Sequence, residues 1–173
     1  GYSSAASDVY KRQRDRCGVH NFLYCFSPDI NFTSTEEYLR YYPGDEYVDV
    51  VAMDDYWLYR FEEKNLDHAH RRLKVISDYA QSAGKIAALS ETGQGAIDDP
   101  RWFTERLLAS IYGYPDEPVS LAYVAVWRNS TQGFFTPYAG HPATADFLRF
   151  LDDERVVTAS PYDWLGMYYH LTD

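Results

Sequence analysis

The chain has 173 residues, about one domain by length, and its 46% hydrophobic and 24% charged residues mark it as globular rather than disordered. A net charge of −10 argues against a nucleic-acid partner, whose phosphates call for clustered Lys and Arg, and disfavours an anionic membrane surface. No stretch is long and apolar enough to span a bilayer.

The N-terminal residues are set apart. Ser7-Asp8-Val9-Tyr10-Lys11-Arg12-Gln13 resembles the translation of a sequencing adapter, so residues 1–13 are read as artefactual and residues 14–173 as the protein proper. That reading carries the expectation of a longer natural chain with its export signal upstream.

From Asn21 onward, apolar runs alternate with helical patterns. Residues 21–26 form the first predicted strand, ended by Ser27-Pro28-Asp29. Residues 34–42 follow as a helix, with Ser34 as N-cap and Glu36 and Glu37 in the first turn. Pro43-Gly44-Asp45 stops it. The second strand is 47–53, closed by Asp54-Asp55-Tyr56. A long helix over 66–83 has Leu73, Ile76 and Ala80 at helical spacing, and Gly84 at its C′ position. The third strand, 86–90, leads into Glu91, and the spacing predicts a helix over 100–112 with Pro100 at its first position. The fourth strand is 121–127, the last helix 142–151, and a polar-aromatic tail covers 160–169.

Strands that are apolar throughout, rather than at alternate positions, belong to a parallel sheet covered by helices, hence α/β. A (β/α)8 barrel needs about 250 residues. Four units are present, so the alternatives are a four-strand open sheet and half of a barrel. A free half-barrel leaves two strand edges and one sheet face uncovered.

Glu91 is the most informative residue. A carboxylate at the end of a buried strand costs desolvation and is rarely placed there for stability. In a parallel barrel that lip holds the catalytic groups. The aromatic surplus, 17 Tyr, 9 Phe and 4 Trp, suits a groove in which rings stack on a flat ligand, although a Tyr-rich surface and core accounts for most of it. Other candidates read as structural. Asp54 and Asp55 fit an acid/base pair or a metal site, but turn chemistry explains them equally. Asp67-His68-Ala69-His70 looks like a metal cluster yet opens a charged helix, and His141 fits a helix start better than catalysis. Asn31-Phe32-Thr33 and Asn129-Ser130-Thr131 match the glycosylation pattern, which has meaning only in a eukaryotic secretory path. Cys17 and Cys25 show no metal spacing, and Cys25, inside an apolar run, is expected as a buried free thiol. No metal or cofactor is called for.

Six motifs occur in the order found in glycoside hydrolase family 26: Tyr24-Cys25-Phe26-Ser27-Pro28-Asp29, Tyr42-Pro43-Gly44-Asp45, Val48-Asp49-Val50, Ser90-Glu91-Thr92-Gly93, Val126-Trp127-Arg128-Asn129 and Gly140-His141-Pro142. Residues 20–155 resemble that family, chiefly β-mannanases. The resemblance implies the C-terminal half of a (β/α)8 TIM barrel, strands five to eight, in a retaining glycosidase with its acid/base Glu after strand four and its nucleophile after strand seven. Glu91, after the third visible strand, then falls on strand seven as nucleophile. The acid/base, usually preceded by His, would lie upstream, and no His-Glu pair occurs in the 173 residues. Tyr56 resembles the Tyr that hydrogen-bonds the nucleophile, and Trp127 the Trp platform under the sugar, while the residues by themselves also allow a Tyr capping the barrel rim and favour an ordinary core Trp. Arg128 and Asn129 are expected to reach sugar hydroxyls, and Tyr24, or Phe26, to line a further subsite.

The implied function is endo-hydrolysis of β-1,4-mannosidic bonds in mannan, by a secreted or cell-surface bacterial enzyme of which this piece alone is inactive. Mixed-linkage β-glucan and β-1,3-xylan are alternatives within the family. From other classes stand a carbohydrate-binding protein without catalysis and a complete four-strand domain.

Overall fold

The computed structural model describes residues 9, 12–56, 63–131 and 133–158. The predicted tail at 160–169 and most of residues 1–13 lie outside the described residues.

Four parallel strands form one sheet in the sequential order β1-β2-β3-β4. They are β1 (Cys25–Phe26), β2 (Val50–Asp55), β3 (Ile86–Thr92) and β4 (Tyr123–Val126). Helix α1 (Thr35–Tyr38) runs on as a 3-10 turn (Leu39–Tyr41), and α2 spans Glu63–Ala83. A π-helical segment (Trp102–Leu108) continues as α3 (Ala109–Tyr112), and α4 is Thr144–Leu151. Every strand is followed by helix, as right-handed parallel crossovers require.

The two faces of the sheet differ. Val51, Met53, Ala87 and Leu89 pack against Ala69, Leu73, Ile76 and Ala80 of α2 and against Trp102, Phe103 and Leu107. These positions at i, i+4, i+7 and i+11 of α2 are the stripe an amphipathic helix turns to a core. Burying a side chain such as Leu73 or Ile76 stabilises the fold by about 1.5–3 kcal/mol. On the other face Val50, Ala52 and Ala88 make a separate small cluster. Ile86 and Tyr123, beside that cluster, stay 41% and 45% exposed. A sheet in sequential order, covered among the described residues by helices on one face, is an arc of a barrel and not an open doubly wound sheet.

Local signals hold at several ends. Ser34 caps α1, its Oγ accepting from the Glu37 backbone N–H at 3.2 Å. Gly84, at φ +64°, ends α2; Lys85 N donates to Ala80 O at 2.7 Å and Gly84 N to Gln81 O at 3.4 Å, the paired bonds of a Schellman motif. Asp146 of α4 is 1% exposed and accepts from Thr104 N at 3.1 Å and Thr104 Oγ1 at 2.5 Å, tying α4 to the π-helical segment.

Other expectations need correction. The first strand is two residues long instead of six, with Phe22 and Leu23 exposed. Among the described residues it is the sheet's edge and pairs with β2 alone, in the register Cys25↔Val50, Phe26↔Val51, with one further isolated bridge at Asp29↔Asp54. Cys25 is exposed rather than buried, because it faces the uncovered side of the sheet. Partial burial still raises its thiol pKa. β2 runs on through Asp54 and Asp55, since the strand turns these carboxylates to opposite faces. Helix begins at Trp102 rather than at Pro100, which sits in the preceding turn.

Candidate active site

A bulge sets the site. Met53 pairs with Leu89, but Asp54 pairs with Glu91, leaving Ser90 as an extra residue in β3. In a regular strand Glu91 would follow Leu89 by two positions and share its helix-covered face. The extra residue reverses the alternation, so Glu91 takes the face of its register partner Asp54, toward the open concave side. Thr92 returns to the covered side, fully buried beside Asp55, whose carbonyl accepts its hydroxyl at 2.8 Å.

Below Glu91 a hydroxyl–carboxylate network fixes the bulge. Asp54 Oδ1 accepts from Ser27 Oγ at 2.7 Å and from Ser90 Oγ at 3.2 Å, and the two hydroxyls lie 2.5 Å apart. Ser90 Oγ also contacts the Met53 carbonyl at 3.1 Å. Three adjacent strand ends are thereby joined at the C-terminal edge of the sheet.

Tyr56 leaves β2 just past this network. Its phenol donates to Glu91 Oε2 at 3.0 Å. Burial first, then the bond to Glu91, pushes the Tyr56 pKa well above the ordinary tyrosine value, so the hydroxyl stays a donor. The Tyr56 ring stands edge-on to Trp127 at 6.5 Å and to Phe135 at 6.1 Å. Trp127 is 41% exposed, and its backbone N–H donates to Thr92 O at 2.8 Å, which anchors it next to the Glu91 strand. Arg128 holds its guanidinium 5.9 Å from the centre of the Trp127 ring. Glu91, Tyr56, Trp127 and Arg128 are therefore gathered at one end of the sheet.

Tyr24 is not with them. It precedes β1, its carbonyl accepting from Asp49 N and Val50 N at the opposite end of the strands. It is buried there, because β1 starts only at Cys25 and reaches the Glu91 end with Ser27. Phe26 faces the helices and packs edge-on against Tyr38 and Tyr42. Asn129 lies on the loop after Trp127, but its amide is occupied within that loop. Nδ2 donates to Thr136 O and Oγ1 at 3.1 and 2.7 Å, and Oδ1 accepts from Phe135 N and Thr136 N at 2.8 and 3.0 Å. Ser27 and Ser90, present above only within their motifs, and Phe135 join the site through the fold, and no local residue announces the bulge that Ser90 forms.

The metal-like groupings dissolve. Asp54 and Asp55 point to opposite faces. His68 is exposed, while His70 is buried, bonded through Nδ1 to Ser110 O at 2.9 Å and stacked on Tyr114 at 3.8 Å. Among the described residues no group of three or more His, Cys, Asp or Glu is placed to hold a metal ion. His141 accepts from Ala143 N at 3.1 Å just before α4, a helix-entry role.

An acid held by a tyrosine thus stands at the C-terminal end of a parallel arc, with an exposed indole beside it. The family model described as Glycosyl hydrolase family 26 matches residues 5–115. A mannan endo-1,4-beta-mannosidase from Bifidobacterium adolescentis is 32% identical over 85% of this chain and 16% of its own length. Among solved structures, GH26C from Muricauda sp. MAR_2010_75 superposes with a TM-score of 0.84 and 31% identity, over 91% of this chain and 43% of that one. The catalytic domain of an endo-beta-1,4-mannanase from Bacillus sp. JAMB-750 gives a TM-score of 0.82 at 30% identity, over 93% and 46%. The chain thus spans less than half the length of each of these relatives. Its four-stranded arc overlays part of their barrel, and on the matched model, the identity and the fold together the chain belongs to glycosyl hydrolase family 26.

Proposed function

We propose that this chain supplies the nucleophile side of a retaining glycoside hydrolase that cleaves β-1,4-mannosidic bonds within mannan. The Tyr56–Glu91 hydrogen bond beside the Trp127 indole carries the reading. The mannan-acting relatives from Bifidobacterium and Bacillus support the substrate.

In this reading the visible strands are numbers five to eight of the barrel. Glu91 attacks the anomeric carbon as a carboxylate, forming a glycosyl ester while the leaving oxygen takes a proton from a second carboxylic acid. Retention requires the two carboxyls to stand about 5–5.5 Å apart. Water then attacks the anomeric carbon, giving its proton to the second carboxylate, and the bond from that carbon to the Glu91 oxygen breaks. Tyr56 fixes the Glu91 oxygen and stabilises its charge as it is released. Trp127 meets the apolar face of the pyranose, and Arg128 is placed to reach hydroxyls beyond it. In this reading the proton donor lies outside the described residues, and the chain alone is inactive. Because a polysaccharide cannot enter a cell, the reading includes an exported enzyme.

The test joins this chain to the N-terminal half of a family 26 barrel and assays mannan, lichenan and xylan. Reducing sugar from mannan with retained anomeric configuration is expected. Release from glucan or xylan only would overturn the substrate, and binding without release would favour a non-catalytic carbohydrate-binding protein.

A further inference from the structure

We infer that Asn129 and Phe135 form a clamp that positions the Tyr56–Glu91 pair, Asn129 folding the loop between β4 and α4 so that the Phe135 ring braces both Tyr56 and the backbone beyond Glu91. The inference rests on the reading of Glu91 as nucleophile.

The loop is folded around one side chain. A primary amide offers two donors and two acceptor lone pairs. Asn129 uses all of them on Phe135 and Thr136. Asp would lose both donors, and Ala everything. Ser130 N donates to Gly133 O at 2.8 Å, closing the turn between the two ends of this clasp. The loop is then stitched to the segment after β3 through Ala96 N and the Phe134 carbonyl, 3.0 Å apart.

Phe135 emerges from this framework over the end of β3. At Gly93, two residues past Glu91, a Cβ would lie 2.6 Å from Phe135 Cδ1, and at Gly95 one would lie 3.8 Å from the ring. Gly93 also sits at φ +146°, which a side chain rarely adopts. The missing Cβ is what lets the ring lie on this backbone. The ring also meets Tyr56 in a T-shaped arrangement. Tyr56 therefore meets two rings, Trp127 and Phe135, both steeply inclined to it, and two such contacts restrict its plane. A phenol has a single O–H direction to offer, and a site of this kind tolerates about 0.5 Å and 10–20° of error. Phe135 and Asn129 touch no reacting atom. They are positioning residues, and Asn129 acts through Phe135.

Tyrosine labelled with 13C at Cζ tests this by NMR at neutral pH in the 173-residue chain itself. The Tyr56 signal is assigned by Tyr56→Phe, and Glu91→Gln defines the shift when the charged acceptor is removed. Asn129→Ala and Phe135→Ala should each produce more than half of that shift, and the double variant no more than the larger single, because both act on one contact. Asn129→Asp, which keeps the acceptor for two backbone N–H groups, should fall between Asn129→Ala and the wild type. An unmoved Tyr56 signal in Asn129→Ala would overturn the inference. An equal movement in Asp146→Ala, which loosens the fold elsewhere, would also overturn it by showing a global effect. The readout needs no turnover, so it fails separately from the nucleophile reading, which Glu91→Gln tests by activity.

Discussion

Tyr56→Phe isolates the hydroxyl that touches Glu91. The ring and its contacts with Trp127 and Phe135 remain, and only the 3.0 Å bond to Oε2 is lost. A hydrogen bond to a charged group contributes about 1.5–3 kcal/mol. That bond is weakest when Glu91 is esterified and regains strength as the carboxylate leaves. Its loss therefore falls on breakdown of the glycosyl-enzyme. At 1.36 kcal/mol per factor of ten, deglycosylation should slow by about 10-fold, and by 150-fold at most, since the transition state recovers only part of the charge. The assay is rapid mixing of the joined barrel with an aryl mannoside, whose good leaving group needs little help from the acid. The variant should show a burst of aryl alcohol followed by a slow steady state. Steady-state turnover within twofold of the wild type, with no burst, would refute the role of the hydroxyl.

Four further outcomes follow. Asp146→Ala should lower the unfolding free energy by about 3 kcal/mol, because it strands the Thr104 N–H and hydroxyl, and Asp146→Asn by about half as much; urea midpoints check both. Gly93→Ala should lower both stability and mannan turnover, since its Cβ meets Phe135 on a backbone at φ +146°, and a combined melting and activity measurement reads this. Asp54→Ala should cost about 1–3 kcal/mol by removing the acceptor that Ser27 and Ser90 share, leaving the two hydroxyls with each other and the Met53 carbonyl, and turnover should fall with it as the bulge loosens. The Tyr114 phenol is pushed up to about 12, first by burial and then by its bond to Asp67. A raised folded-state value means that its contribution is complete below the ordinary value of 10.0 and lost as pH rises toward about 12. Tyr114→Phe should accordingly flatten that part of the alkaline limb of a stability–pH curve.

What the sequence made legible was periodic or chemically punctuated. The α2 stripe through Leu73, Ile76 and Ala80, the Ser34 cap and the Gly84 stop each depend on residues close in the chain. The order of strands and helices followed from the same signals. The motif resemblance led to Glu91, Tyr56, Trp127 and Arg128, which the fold brings to one end of the sheet. The Ser90 bulge was not legible, because it is defined by register against β2 and no local residue announces it. Tyr24 was misplaced for a related reason. An apolar run shows that a strand is near but not where pairing begins, and the edge position trims β1 to its last two residues. Asn129 was expected at sugar hydroxyls from its place after Trp127. Its engagement with Thr136, seven residues on, depends on how an irregular loop folds back.

The central claim is that Glu91 forms the covalent bond to sugar. The direct measurement is trapping of the joined barrel with a 2-deoxy-2-fluoro-mannosyl fluoride, then proteolysis and mass spectrometry. The account predicts a single fluorosugar ester on Glu91, absent from Glu91→Gln. A label on any other carboxylate, or unimpaired mannan turnover by Glu91→Gln, would contradict it.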